Sequence, residues 1–285
     1  MNPGAGHIGG VSSTPAADLE PVYFGRGGAP LFGCFHPAQE PVREGKALVI
    51  CQPLGQEYIR CHRLLRVLAA SLARSGLPVL RFDYHGCGDS HGDSEDVTLG
   101  RCVDDIGEAV RFVRGRARAT GVDLLGLRLG ASVALRYAAG RHGQIGRMVL
   151  WDPVVRGEDF LASMRAQSAR FGMWMQSLFS RAARPSEADG VRDFIGFRFS
   201  EALIGELMAL DLLQIAQGPC KRALILDNGE EPSASALRDH LDGIGVQSDL
   251  ERCSSPRIWL AEPYQGIVPR ESLELAARWL LETPR

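Results

Sequence analysis

The sequence predicts an α/β fold: a mostly parallel, doubly wound sheet with a helical cap inserted after the sixth strand. Three observations carry this expectation. From Lys46 onward, short apolar segments alternate with stretches of helical periodicity, the pattern left by strand–helix–strand crossovers. The segment KALVICQP is a continuous apolar run ending in Pro rather than an alternating one, as a parallel strand covered on both faces should be. The alternation lapses between about residues 154 and 217, where the apolar residues keep helical spacing.

Residues 1–20 are rich in Gly, Ser, Pro and Ala and are expected to form a disordered tail. They have neither the basic start nor the apolar centre of a signal peptide or anchor. Two short strands then open the domain, around Val22–Gly25 and Leu31–His36, turning through Arg26-Gly27-Gly28. KALVICQP gives the third strand, and RCHRLLRVLAASLARSG a helix with a glycine stop. LPVLRFDYHG is the fourth strand, VTLGRCVDDIGEAVRFVRGRA an amphipathic helix, and GVDLLGL the fifth strand. The helix GASVALRYAAGR and the sixth strand GRMVLWDPV follow. After the cap, strand RALILD, helix PSASALRDHLDGIG, strand PRIWLAE and helix RESLELAARWLLE complete one domain over residues 21–285.

The cap, about 154–217, reads as helical throughout: EDFLASMRAQSARFGMWMQSLF, a polar break from Arg181 to Gly190, then FSEALIGELMALDLLQIA. Phe171, Met173, Trp174, Met175 and Phe179 have two readings. Apolar residues at helical spacing usually pack an element onto its neighbours, and here they are also placed to line an acyl pocket.

The net charge of −2 over 285 residues leaves no basic excess to neutralise phosphates, so nucleic acid is not an expected partner. Seven cysteines (34, 51, 61, 87, 102, 220 and 253) include no C-x-x-C pair. They read as reduced thiols, with a cytoplasmic location implied. No run approaches the ~18 apolar residues of a membrane span. No spacing suggests a metal site, and no cofactor is expected.

LLGLRLGASVAL, residues 124–135, is the most informative stretch. An apolar strand meets Gly126-Leu127-Arg128-Leu129-Gly130, and a helix follows. Together with RFDYHGCGDS (81–90) and the position of the cap, this turn resembles the α/β-hydrolase superfamily, in its serine aminopeptidase-like branch, over roughly Pro21 to Leu281. QPLGQEYIRCHR (52–63), GLRLGA (126–131) and VLWDPVVRGEDFL (149–161) resemble, more narrowly, the exosortase A system-associated hydrolase 2 family. That family sits among exopolysaccharide and protein-sorting functions, and it is named for its fold. Its name is weak evidence of an activity.

The resemblance implies G-x-S-x-G at the turn, with serine as nucleophile. Here the position is Arg128, whose guanidinium has no lone pair to offer a carbonyl. It also implies a histidine after the last strand, but the last histidine of the chain is His240. Asp227 keeps the acid position, with Glu230 and Glu231 near, as a remnant acid with nothing to orient. Ordinary triad hydrolysis is therefore not expected; loss of the serine alone costs about a million-fold.

An oxyanion hole can persist on the N–H of Leu129 and one from Gln52-Pro53-Leu54-Gly55. Those donors, a helix N-terminus and Arg128 would make an anion site. Arg128 is equally expected to pair internally with Glu57 or Asp152, and the two readings agree if the pair opens for a ligand. Cys51 and Cys87 are the remaining nucleophiles near that edge, and Cys87 has only His85 as a base. Residues so close in sequence rarely aim at each other productively. Asp83, Asp89 and Ser90 suit turn stabilisation.

Three functions follow. The first is a non-hydrolytic binder of an anionic or acyl-bearing small molecule, with Arg128, Leu129, Leu54, Gly55, Glu57 and Asp152 at the site. The second is an ester or thioester hydrolase, or an acyltransferase, using unconventional groups. The third is a structural role through a protein partner on the cap.

Overall fold

The computed structural model describes residues 19–39, 43, 45–141, 143–178, 191–229, 232–261 and 267–282, with backbone alone at 174–178, 191 and 232. The expected tail lies outside these residues, apart from its last two.

A hairpin of β1 (Glu20–Phe24) and β2 (Leu31–His36) leads into the parallel part of the sheet. There β3 (Lys46–Cys51), β4 (Val79–Phe82), β5 (Gly121–Leu127), β6 (Ile145–Trp151), β9 (Arg222–Asp227) and β10 (Gln247–Arg252) run side by side. The order is β1-β2-β4-β3-β5-β6-β9-β10, with β1 and β2 antiparallel. Helices α1 (Gln56–Arg74) and α7 (Arg270–Leu281) cover one face. Helices α2 (Leu99–Arg116), α3 (Leu129–Ala139) and α6 (Pro232–Gly243) cover the other.

Coverage on both faces explains the unbroken apolar runs. In β3, Ala47, Val49 and Cys51 face the α2/α3 layer, while Leu48 and Ile50 face α1. A polar residue at any of these positions would be buried without a partner, so the sequence offers none. Arg147 is the exception that ties down the C-terminus. It pairs with Asp123 at 3.0 Å and donates to the carbonyls of Trp279, Leu280 and Glu282, which are groups that a helix end leaves open.

Two sequence expectations are corrected. The segment between β6 and β9 is not helical throughout: α4 (Gly157–Leu178) and α5 (Glu201–Met208) flank an antiparallel hairpin, β7 (Val191–Phe194) and β8 (Phe197–Ser200). The last strand is QSDLER, β10, rather than PRIWLAE, where Ile258–Leu260 forms a short 3₁₀ turn. Burial of Ile258 and Trp259 against the α1/α7 layer, not strand pairing, accounts for that apolar run.

Candidate functional site

The turn between β5 and α3 is built by its glycines. A Cβ on Gly126 would collide with the backbone of Ala131, and one on Gly130 with the carbonyl oxygens of Cys51 and Gln52. The two glycines thus let α3 start hard against the ends of β5 and β3. Arg128 sits between them at φ 54°, ψ −125°, a strained conformation that costs a non-glycine residue about 1–3 kcal/mol.

Its side chain is then held from three sides. Nε donates to Glu57 Oε1 at 3.1 Å, and Nη1 donates to the carbonyl oxygen of Asp152 at 3.2 Å. The guanidinium carbon lies 5.2 Å from the ring centroid of Trp259, within cation–π range. Expected internal pairing is what the geometry shows, with Glu57 as the ionic partner and Asp152 contributing its backbone. Glu57 is buried in the first turn of α1; burial pushes its carboxyl up, and Arg128 pulls it back down.

Asp152, at φ 42°, follows β6. Its Oδ1 accepts from the Asn228 N–H at 2.9 Å, while Oδ2 is buried and has no hydrogen-bond donor among the described residues. Burial pushes its carboxyl up to about 7, with Asp227 adding repulsion and Arg128 opposing. Asp227 ends β9 as expected, but it serves its own turn: Oδ1 accepts from Gly229 N–H at 2.9 Å, and Oδ2 lies 3.7 Å from Arg252 Nε. His240 is far from this chemistry in function: on α6, its Nε2 contacts the Ile215 carbonyl at 2.8 Å.

Two cavities lie at this edge of the sheet, one of them lined by Arg128. A polar one of about 60 Å³ is lined by Arg128, Asp152, Ser163, Asp227, Arg257 and Trp259 among others. An apolar one of about 280 Å³ is lined by Leu54, Gly55, Tyr58, Cys87, Phe197 and Phe199 among others. The aromatic wall therefore comes from the β7–β8 hairpin. Of the cap residues expected to pack or to line a pocket, Phe171 and Met173 are exposed. The side chains of Trp174 and Met175, and all of Phe179, lie outside the described residues.

Leu129 is the first residue of α3, where helix geometry leaves N–H groups unpaired. Gly55, at φ 63°, caps the start of α1. Cys87 and His85 are not joined: burial pushes the thiol up to about 12, and the imidazole contacts Arg101 and His91. Cys51 is likewise buried and pushed up to about 12. Asp83 does support its turn, accepting from Gln52 Nε2 at 2.8 Å, Tyr58 hydroxyl at 2.9 Å and Asp89 N–H at 3.2 Å.

Residues 46–193, just over half the chain, match the family described as serine aminopeptidase, S33. The chain belongs to that family. Its fold is also that of solved esterases. Est1E from Butyrivibrio proteoclasticus, with ferulic acid bound, superposes with TM-score 0.67 at 16% identity, over 91% of this chain and 98% of that one. A Pyrococcus furiosus esterase gives 0.64 at 15%, over 92% and 90%. A Pyrobaculum calidifontis esterase gives 0.62 at 16%, over 94% and 86%. No curated protein sequence matches the chain.

Two residues of the site escape a reading of the sequence. Trp259 lies in a stretch that reads as strand, and Phe199 in one that reads as helix. The signal for the first was its place after the last strand, where the family's histidine is expected. The signal for the second was the alternation VRDFIGFRFS around a Gly turn.

Proposed function

We propose that this member of the S33 family is a non-hydrolytic binder of a small molecule with an anionic head and an apolar, acyl-type body. One observation carries the reading: the elbow is intact, yet its apex holds Arg128, fixed by Glu57 and Trp259. A charged residue pinned in a strained turn is a built feature, and it cannot attack a carbonyl. The head would meet Arg128 and the start of α3 at Leu129, with Asp152 alongside. The body would lie in the apolar cavity at Leu54 and Gly55, two residues before the Glu57 that holds Arg128. The three blocks that resemble the exosortase-associated hydrolase 2 family support a role beside exopolysaccharide or protein-sorting functions.

The test has two arms. In the first, wild type and Arg128→Ser are screened against p-nitrophenyl esters and thioesters. Neither should turn over above a heat-killed control, because a serine at 128 has no histidine to take its proton. Robust turnover would favour the rival reading, an esterase using another nucleophile. In the second, fatty acids, acyl phosphates and their neutral amides are compared by thermal shift at fixed ionic strength. A ligand that binds only the native state raises Tm, and charge-assisted bonds are about twice as strong as neutral ones. Charged members should stabilise wild type more than neutral ones, and Arg128→Ala should abolish the difference. Equal shifts for both classes would leave Arg128 a structural ion-pair residue.

A further inference from the structure

Arg81 lies on β4 under α1 and is 5% exposed. A guanidinium keeps its charge at any accessible pH, so burial calls for a counter-charge. Among the described residues no carboxylate lies within ion-pair distance of it. Its one hydrogen bond there runs from Nε to His36 Nε2, at 3.3 Å. His36 is buried and uncharged, held down to about 4 by burial and by Arg81 itself. It satisfies one donor and no charge. Asp83, just past the end of β4, has its oxygens taken up by Gln52, Tyr58 and the Asp89 N–H.

Arg81 lines a cavity of about 80 Å³ together with Cys34, Tyr58, His62, Asp83 and Asp89. Tyr58, His62 and Arg66 are four residues apart along α1, so they share one helix face. His62 and Arg66 are exposed, and the Arg66 charge is felt at Arg81, His36 and Cys34. The cavity thus has a buried cation among its walls and a second cation, Arg66, beside it, while burial and Arg81 hold the His62 imidazole below its ordinary range. Arg128 is not among the residues that line it.

We propose that this cavity is a second anion site, taking a phosphate or carboxylate head group on the guanidinium of Arg81, with His62 and Arg66 at its mouth. Its volume suits a small oxyanion, so a larger ligand extends into solvent past α1. Asp89, exposed at the rim, opposes an anion and weakens it. The site stands independently of the reading of the elbow.

The experiment follows the His62 ring by NMR while inorganic phosphate is titrated at fixed ionic strength, with chloride as control. Glycerol phosphate and acetate serve as parallel ligands. Bound anion should raise the pH at which His62 titrates, against a background set by Tyr58, Arg66, Arg81, His36, Cys34, Asp83 and Asp89. The shift should be saturable in wild type and in Arg128→Ala, and lost in Arg81→Met. Affinity should fall at least threefold in Arg66→Ala and rise at least threefold in Asp89→Asn. The latter two alter exposed side chains and carry the test if Arg81→Met does not fold. Tighter binding of glycerol phosphate than of inorganic phosphate would identify an organic phosphate as the ligand, and the reverse the free ion; a dominant acetate response would identify a carboxylate. An unresponsive His62 in wild type, or a shift that survives Arg81→Met, would overturn the proposal. So would an Asp89→Asn protein that loses stability and phosphate response together, since Asp89 would then be the internal counter-ion.

Discussion

At Arg128 the chain combines a left-handed backbone with a guanidinium whose side chain is only 15% exposed. Glu57, 1% exposed, is its ion-pair partner at 3.1 Å, and among the described residues Glu57 Oε2 has no hydrogen-bond donor. Removing Arg128 therefore strands the buried Glu57 carboxylate. Breaking a buried pair from one side costs about 3–5 kcal/mol, whereas replacing both partners by apolar residues is often neutral. Arg128→Met should lose stability on that scale in urea denaturation, and adding Glu57→Leu to it should recover most of the loss. Additive losses in the double-mutant cycle would mean that the two side chains do not depend on each other. The pairing was legible because Arg128 follows a recognisable strand and Glu57 follows its neighbour in the sheet. The Trp259 contact was not, because it depends on how a loop distant in sequence folds back over α1.

Among the elements, the parallel strands were legible because burial on both faces writes itself as an unbroken apolar run. β10 is an edge strand with one neighbour, β9, and its QSDLER sequence carries almost no apolar signal. The β7–β8 hairpin was hidden by the helical spacing on either side of it. Its turn also uses an unusual residue: Ile195 at φ 56° precedes Gly196 at φ 85°, a pair of left-handed positions where Asn-Gly is the favoured choice. A β-branched side chain in that conformation is strained by about 1–2 kcal/mol. Ile195→Asn should therefore stabilise the protein by about 1 kcal/mol, seen as a higher midpoint in chemical denaturation. A loss instead would show that the half-buried Ile195 side chain contributes more by packing than the turn loses by strain.

For the molecule as a whole, the sequence located the sheet and the elbow but not the pattern of buried titratable groups, since each depends on packing between elements remote in the chain. Two of them act on global stability with opposite sign. Asp152 is pushed up to about 7, mainly by burial. Between about 4, the ordinary carboxylate range, and about 7, the native state holds a proton there that the unfolded chain has released. Stability therefore falls as pH rises through this window. His36 is held down to about 4, first by burial and then by Arg81. Between about 4 and the ordinary histidine value of about 6.5, the unfolded chain binds a proton that the native state refuses. Stability from this group therefore rises with pH. The two slopes oppose each other over most of the same range, so the wild-type curve conceals both. Substitution should separate them. Relative to wild type, Asp152→Asn should gain stability steadily from about pH 4 to about pH 7, because an amide never has to ionise. His36→Gln should gain most at about pH 4 and lose that advantage by about pH 6.5. Asp105, also pushed up to about 6 by burial, is common to all three proteins and cancels in the differences. Urea denaturation at half-unit steps between about pH 4 and 8 would resolve the curves. Parallel curves for wild type and Asp152→Asn would mean that Asp152 remains ionised in the fold, with the side chain of Arg128 or Arg257 neutralising it.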